Sequence, residues 1–255
     1  MLHRTVAWIV VVCAVLVSNP ALSAGKEEAP SVQPRAVKIL RQMTEYLKSL
    51  KQFTFHTENT EESVLSSGQK LQFATAVDVS VRRPNRLRGN VKGDFVDQSL
   101  FYNGQTVTLL DRNRNFYGTI KAPPTIEAAL DYALETFDLS APLSDLIYSN
   151  AYDILTENVE SSLYVGLSNV QGVESHHLAF TQDDIDWQIW IENSETPLPR
   201  KFIITEKRVG GAPQFTARLS DWNVSPQLQD SVFTFVAPKG VEKIEFLPVR
   251  RTRNP

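Results

Sequence analysis

Alternation of apolar and polar residues with a period of two dominates the chain. From Leu71 to Val81 the odd positions are largely apolar, while the even positions include Gln72 and Asp78. Successive side chains of a strand point to opposite faces, so this pattern predicts a half-buried β-strand. Comparable segments recur along the chain and give about eleven candidate strands in two blocks. Because open twisted sheets rarely exceed about ten strands without curling, we expect strong curvature or partial closure.

Turn residues separate the candidate strands. Asn103-Gly104, between Leu100–Tyr102 and Thr106–Leu110, is a strong hairpin signal. The candidate strands of the second block include Val173–Phe180, Asp186–Glu192, Arg200–Lys207 and Phe215–Trp222. The chain is therefore predicted to be mainly β.

Helical patterns occur before the strands and between their two blocks. An amphipathic helix is expected from Pro34 to Leu50, with apolar residues at three- and four-residue spacing. A second is expected over Ile126–Phe137, where Thr125 can cap the first turn. A short helix is expected within residues 140–149. Together these patterns predict an α+β chain in which a helical insertion divides two blocks of strands.

The first residues have the features of a secretory signal. A basic start containing Arg4 precedes the apolar run Val6–Val17, and small residues lead to Ala24. We expect a cleaved signal at 1–24, a flexible leader at 25–33, one domain at 34–246 and a flexible tail at 247–255. The alternative is an uncleaved anchor, although the run is shorter than the ~20 residues that a membrane span needs. The single cysteine, Cys13, lies in this run and lacks the small preceding residue of a lipidation site.

The composition restricts the possible partners and chemistry. The formal net charge is −3, which gives no global reason to expect nucleic-acid binding. After cleavage at the predicted position no thiol remains, so neither a disulfide nor a thiolate nucleophile is expected. The phosphate-loop, nucleophile-elbow and zinc-protease motifs are absent from the sequence.

Two local patterns invite a metal-binding hypothesis, and each has a simpler alternative. His176-His177 are neighbours in a predicted strand, so they point to opposite faces and do not converge on one ion without a bulge. One exposed and one packed histidine is the simpler interpretation. Asp183-Asp184-Ile185-Asp186 lacks the glycine and terminal glutamate of a calcium loop, and aspartate is common in turns.

A basic cluster is the third candidate. It consists of Arg82, Arg83, Arg86, Arg88 and Lys92. These residues could meet a phosphate, an acidic partner or a membrane headgroup, or could form a solvated strand face.

Trp187 and Trp190 have opposite parity on one predicted strand, and either core packing or a ligand cavity would explain them.

Several short phrases resemble the periplasmic lipoprotein-carrier (LolA/LolB-like) superfamily. They are Arg83-Pro84-Asn85 at a strand end, the Asn103-Gly104 hairpin, and the C-terminal phrase Asp230, Phe233-Thr-Phe235, Pro238-Lys-Gly240-Val241. Other phrases, including Asp186-Trp187-Gln188 and Pro197-Leu-Pro199-Arg200, resemble a group of predicted periplasmic proteins within it.

The resemblance implies a curved antiparallel half-barrel with helices plugging its concave side. In the carriers the cavity takes acyl chains, and the arginine of the Arg-Pro phrase holds the helical lid. The corresponding cavity and lid candidates here are Arg83, Leu130, Leu134, Phe137, Leu143, Leu146, Ile147, Trp187 and Trp190. Ser80 and Gly89 stand where the carriers have tryptophans, so the cargo is expected to differ.

The expected function is a non-catalytic periplasmic binding protein for a hydrophobic or acylated ligand, with no cofactor or metal. The alternative is a regulatory protein-interaction module of the same fold, acting on a membrane or periplasmic protein. An enzyme with His177 and Asp186 as an acid–base pair is a further alternative, but no nucleophile or oxyanion motif accompanies them. No nucleic-acid partner is expected.

Overall fold

A computed structural model describes residues 31–141 and 143–249. The predicted signal, Cys13 and most of the predicted leader lie outside the described residues. None of the helices that the structure describes combines the length and apolar character needed to cross a membrane.

Twelve strands and three α-helices make up the described fold. In chain order they are α1 (Pro34–Ser49), β1 (Gln52–Val64), β2 (Lys70–Arg82), β3 (Arg86–Gly93), β4 (Asp97–Tyr102), β5 (Thr106–Asp111), β6 (Phe116–Lys121), α2 (Ile126–Phe137), α3 (Ala151–Thr156), β7 (Ser161–Val170), β8 (Val173–Thr181), β9 (Ile185–Glu192), β10 (Pro199–Glu206), β11 (Gln214–Asn223) and β12 (Glu242–Ile244). A 3₁₀ turn over Ser144–Ile147 lies between α2 and α3.

All twelve strands belong to one curved, open sheet in the order β12-β6-β5-β4-β3-β2-β1-β11-β10-β9-β8-β7. Each block is an antiparallel meander, and the pairing of β1 with β11 joins the two blocks. The short β12 adds to β6 in parallel and was not expected from the sequence. The predicted fold class, a mainly β curved sheet of about eleven strands with a helical plug, is confirmed.

α1 packs on the sheet near β7, β8 and β9. Its buried face carries Leu40, Met43 and Leu47, at the three- and four-residue spacing that the sequence showed. The residues just before α1 accept hydrogen bonds from β7. Ser162 N donates to Ser31 O at 3.1 Å, and Tyr164 N donates to Gln33 Oε1 at 2.9 Å. Residues 31–33, at the end of the predicted leader, are therefore hydrogen-bonded to the sheet edge.

The described segment between β6 and β7, residues 122–141 and 143–160, forms a helical lid. α2 has the predicted bounds, and Thr125 Oγ1 accepts from Ala128 N at 3.3 Å to cap its first turn. The second expected helix is only the 3₁₀ turn, and α3 was not predicted. A helix as short as α3 has too few residues for a clear apolar period, so tertiary packing decides it.

The C-terminal segment, residues 228–235, crosses the outer face of the sheet. Phe233 is fully buried there, and Phe235 packs against Phe101 at 5.4 Å and Tyr117 at 4.8 Å between ring centroids. This packing gives a structural reason for the aromatic phrase near the C-terminus. Beyond the expected domain end at 246, Val249 N still donates to Thr136 O of α2 at 2.8 Å.

Candidate functional site

A cavity of about 250 Å³ lies between the concave face of the sheet and the helical lid. Alternate residues of neighbouring strands line it because directly paired residues share a face. The sheet residues are Phe55, Thr57, Asn59, Glu61, Phe73, Thr75, Val77, Val79, Leu87, Gly89, Val91, Gln98, Leu100, Leu109 and Phe215. The wall is therefore mostly aliphatic and aromatic, with a few neutral polar groups and the carboxylate of Glu61.

The lid supplies the other wall. Its lining residues are Leu130, Ser140, Ala141, Leu143, Ser144 and Ile147. Three of the candidate residues predicted from sequence thus meet at the cavity: Leu130, Leu143 and Ile147. Leu130 and Ile147 are buried, at 4% and 5% exposure, so they belong to the hydrophobic core as well as to the cavity wall.

The remaining lid candidates lie elsewhere. Leu134 is 44% exposed and does not line the cavity, although it was expected to face the sheet. Phe137 packs instead against Phe246 at 6.2 Å between centroids, and Leu146 is buried in the core without lining the cavity. α2 therefore covers the cavity with Leu130, and its later turns lie beyond that wall.

The two tryptophans are not cavity residues. Trp187 stacks on Phe180 at 4.0 Å in the core, and Trp190 stacks on His177 at 4.0 Å. Lys201 Nζ lies 4.5 Å from the Trp190 ring. Both tryptophans make cross-strand pairs, so the packing interpretation replaces the cavity interpretation for them.

The two histidines are both half-buried rather than one exposed and one packed. His176 Nδ1 lies 3.1 Å from the Tyr164 hydroxyl, and His177 Nε2 lies 2.9 Å from Gln188 Oε1. Burial lowers the pKa of each imidazole. His177 and Asp186 do not pair: Asp186 faces Lys207 Nζ at 3.1 Å, so the structure does not assemble the acid–base pair.

No group of His, Cys, Asp or Glu in residues 31–141 and 143–249 is arranged to hold a metal ion. Asp183 and Asp184 stand in the hairpin turn between β8 and β9, as the simpler interpretation had it, and Asp183 pairs with Arg208.

Most of the basic cluster holds the C-terminal segment. Arg82 donates to Leu228 O at 2.7 Å and pairs with Asp230, which Arg86 also approaches at 3.7 Å. Arg88 donates to Val232 O at 3.4 Å. These three arginines are therefore engaged within the fold, whereas Lys92 of the same cluster is exposed.

Arg83 points the other way, toward the lid. Its Nη2 donates to Ile147 O at 2.7 Å, and its Nη1 lies 3.6 Å from Glu127 Oε1 at the start of α2. Next to it, Ile126 N donates to Pro84 O at 3.0 Å. One side chain thus contacts both ends of the α2–3₁₀ unit.

The contact between Arg83 and Glu127 is partly buried. Burial lowers the pKa of Arg83, and the nearby charge of Glu127 opposes that change. Burial alone would raise the pKa of Glu127, but hydrogen bonds from its own amide and from Ser149, with the charge of Arg83, outweigh it and lower the pKa. The pair therefore stays ionised at neutral pH.

Sequence reasoning named none of the sheet residues that line the cavity as site residues, among them Thr57, Asn59 and Gly89. The signal was present for the first two, because they share the parity of Phe55 on β1 and so place polar groups on an apolar face. A Cβ added at Gly89 would meet nothing within 4 Å, so the absent side chain leaves open space in the cavity.

The described residues thus form a curved open sheet with a mostly apolar cavity on its concave side and a helical lid over that cavity. The chain belongs to the family of predicted periplasmic proteins described as DUF2092, whose model matches residues 36–247. That match confirms the predicted group and the periplasmic compartment.

Solved structures with a similar outline include three of low sequence identity. A conserved protein from Thermus thermophilus has 9% identity and a TM-score of 0.49, over 83% of this chain and 99% of that one. LprF from Mycobacterium bovis has 16% identity and a TM-score of 0.48, over 83% and 99%. The LolA superfamily protein NE2245 from Nitrosomonas europaea has 11% identity and a TM-score of 0.37, over 78% and 97%. The comparison with curated proteins gives no match.

Proposed function

We propose that this protein binds a hydrophobic or acylated ligand in the cavity between the sheet and the lid. The observation that carries the proposal is the cavity itself, which combines a largely apolar lining with a cover held by Arg83. Apolar concave sites with a few convergent polar groups are typical of small-molecule binding.

The size of the cavity bears on the mode of binding. Its volume of about 250 Å³ is below the roughly 300–1,000 Å³ of ordinary ligand pockets. A single chain of moderate length suits this closed form, and a larger ligand requires the lid to move outward. Arg83, which joins the sheet to both ends of the α2–3₁₀ unit, then controls access.

Gly89 gives a direct test. It pairs with Val79 and Leu100, which both line the cavity, so a larger side chain at 89 would project into the same space. Its φ lies outside the left-handed region, so substitution there causes no backbone strain. We expect Gly89→Phe to fill the cavity and to reduce binding of a fluorescent apolar probe at least tenfold, with the melting temperature unchanged or raised.

Gly210 provides the matched control. It lies in the exposed turn between β10 and β11, and an added Cβ there also meets nothing within 4 Å. Gly210→Phe should bind the probe as the wild type does. Equal loss in both variants, or full binding by Gly89→Phe, would show that the probe is not held in the cavity.

A protein-interaction role is a second candidate, favoured by β7. This strand ends the sheet, and residues 31–33 bond to it at Ser162 and Tyr164. Beyond that contact, Val165 and Leu167 are each about half exposed. Edge strands with exposed apolar side chains are sites for pairing with another chain. Cross-linking in the periplasm that disappears with Val165→Lys and Leu167→Lys, while probe binding is retained, would favour this role.

A further inference from the structure

The cavity contains buried polar atoms without partners. Thr57 is 2% and Asn59 is 5% exposed, and both residues line the cavity. Among the described residues, Thr57 Oγ1 and Asn59 Oδ1 have no hydrogen-bond partner, and Asn59 Nδ2 reaches only Thr75 Oγ1 at 3.4 Å. Buried polar groups are nearly always paired, so two unpaired atoms at one place in a cavity indicate a partner from the ligand.

These atoms stand between two different environments. Along β1 the cavity-facing residues run from Phe55, which is 5% exposed, through Thr57 and Asn59 to the exposed Glu61. A ligand that follows this wall therefore meets an apolar end first, then neutral polar groups, then solvent. That order matches a chain whose polar group lies at one end.

The ionisable residues that line the cavity indicate which kind of polar group the ligand carries. Among the described lining residues none is Lys, Arg or His, and Glu61 at the rim is the one ionisable side chain. An anionic headgroup drawn in to Thr57 would lose its hydration without a cation to replace it, and would face Glu61. A hydroxyl or an amide carries no such cost.

We propose that the ligand is an uncharged amphiphile whose hydroxyl or amide hydrogen-bonds to Thr57 and Asn59, with its apolar chain toward Phe55 and the lid. This inference rests on the proposed function. A ligand N–H or O–H can donate to Asn59 Oδ1, while the Thr57 hydroxyl can donate or accept. The site then distinguishes an alcohol from an ether of the same chain, because only the alcohol donates.

The test displaces a bound apolar probe with 1-decanol, decyl methyl ether or decanoate at pH 8. For the wild type we expect decanol to displace the probe at a concentration about five- to tenfold below that of the ether, as one added hydrogen bond implies. Decanoate should be the weakest of the three. Asn59→Leu should still bind the probe, but its preference for the alcohol should fall to within twofold, because it lacks the amide oxygen that accepts from the ligand. Thr57→Val should also bind the probe, but more of both the alcohol and the ether should be needed to displace it, because the lost hydroxyl can donate to either oxygen.

Thr60→Val is the matched control, since Thr60 lies on β1 with the opposite parity and outside the cavity lining. It should keep the wild-type preference. An equal response of the wild type to alcohol and ether, an unchanged preference in a folded Asn59→Leu variant, or wild-type displacement of the probe from Thr57→Val by both compounds would overturn the proposal. Absence of probe binding to the wild type would instead contradict the proposed function. Thr57→Val is nearly isosteric, so its weaker displacement by both compounds tests the proposal whether or not Asn59→Leu folds.

Discussion

Arg83 Nη2 donates a hydrogen bond of 2.7 Å to the carbonyl oxygen of Ile147, which joins the end of β2 to the 3₁₀ turn of the lid. The same guanidinium lies 3.6 Å from Glu127 at the first turn of α2. A planar group with five donors can hold two such sites at once, which a lysine does not reproduce. We therefore regard Arg83 as the latch of the lid.

The latch makes a prediction for hydrogen exchange. Arg83→Leu removes the bond to Ile147 and leaves Glu127 without its cation, so amides of residues 126–147 should exchange faster, while those of the sheet should change little. Arg83→Lys should give a similar result. Arg86→Leu is the control because Arg86 contacts Asn85 and Asp230 and not the lid. Identical protection of the lid amides in the Arg83→Leu and Arg86→Leu variants would show that Arg83 does not hold the lid.

The exposure of two leucines on α2 predicts unequal contributions to stability. Leu130 is 4% exposed and Leu134 is 44% exposed. Leu130→Ala should lower the free energy of unfolding by about 2–4 kcal/mol, as core truncations do. Leu134→Ala should cost under about 1 kcal/mol, because its side chain is already half in water. Urea denaturation checks both values, and a larger loss in Leu134→Ala would contradict this placement of α2.

The lid also predicts a dependence on pH. Partial burial raises the pKa of Asp145, and the nearby charge of Asp131 adds to the rise. Solvent screens both effects because the residue remains exposed at the surface, so the dependence should be weak. The folded state therefore holds this proton more tightly, so the stabilisation is complete below about pH 4 and is lost as the pH rises through the raised pKa. Asp145→Asn stays neutral, so its unfolding free energy should fall less between pH 4 and 7. Thermal melts across that range would show parallel curves if Asp145 plays no part.

The C-terminal aromatic phrase should be structural rather than ligand-binding. Phe233 is fully buried beneath Arg82, whereas Val236 is 80% exposed. Phe233→Ala should cost about 3–5 kcal/mol of stability, and Val236→Ala under about 0.5 kcal/mol. Under native conditions both variants should bind the apolar probe as the wild type does. Loss of binding in a folded Phe233→Ala protein would place this segment at the ligand site.

The elements that the sequence predicted well are those with a long, uniform period. The bounds of α2 and of strands such as β2 follow from spacing, since one buried face repeats along the whole element. α3 and β12 are too short to show a period, and each depends on a neighbour: β12 on its parallel pairing with β6, and α3 on packing against α1 and the 3₁₀ turn.

The positions of individual side chains were harder to predict than the helices and strands themselves. Leu130 and Leu134 share one face of α2, but the lid covers the cavity at Leu130 and leaves Leu134 half in water. Trp190 is buried by its cross-strand neighbours His177 and Lys201, which strand parity alone does not reveal. The cavity at Gly89 arises from a missing side chain, and a pattern of apolar residues gives no signal for empty space.

Native mass spectrometry after incubation with a bacterial envelope lipid extract tests the central claim, that the cavity holds an apolar ligand, most directly. The wild type and Gly210→Phe should each retain one lipid mass per chain, and Gly89→Phe should retain none. Arg83→Leu should exchange its bound lipid faster than the wild type. A wild-type chain that acquires no lipid, or a Gly89→Phe chain that acquires as much as the wild type, would contradict the account.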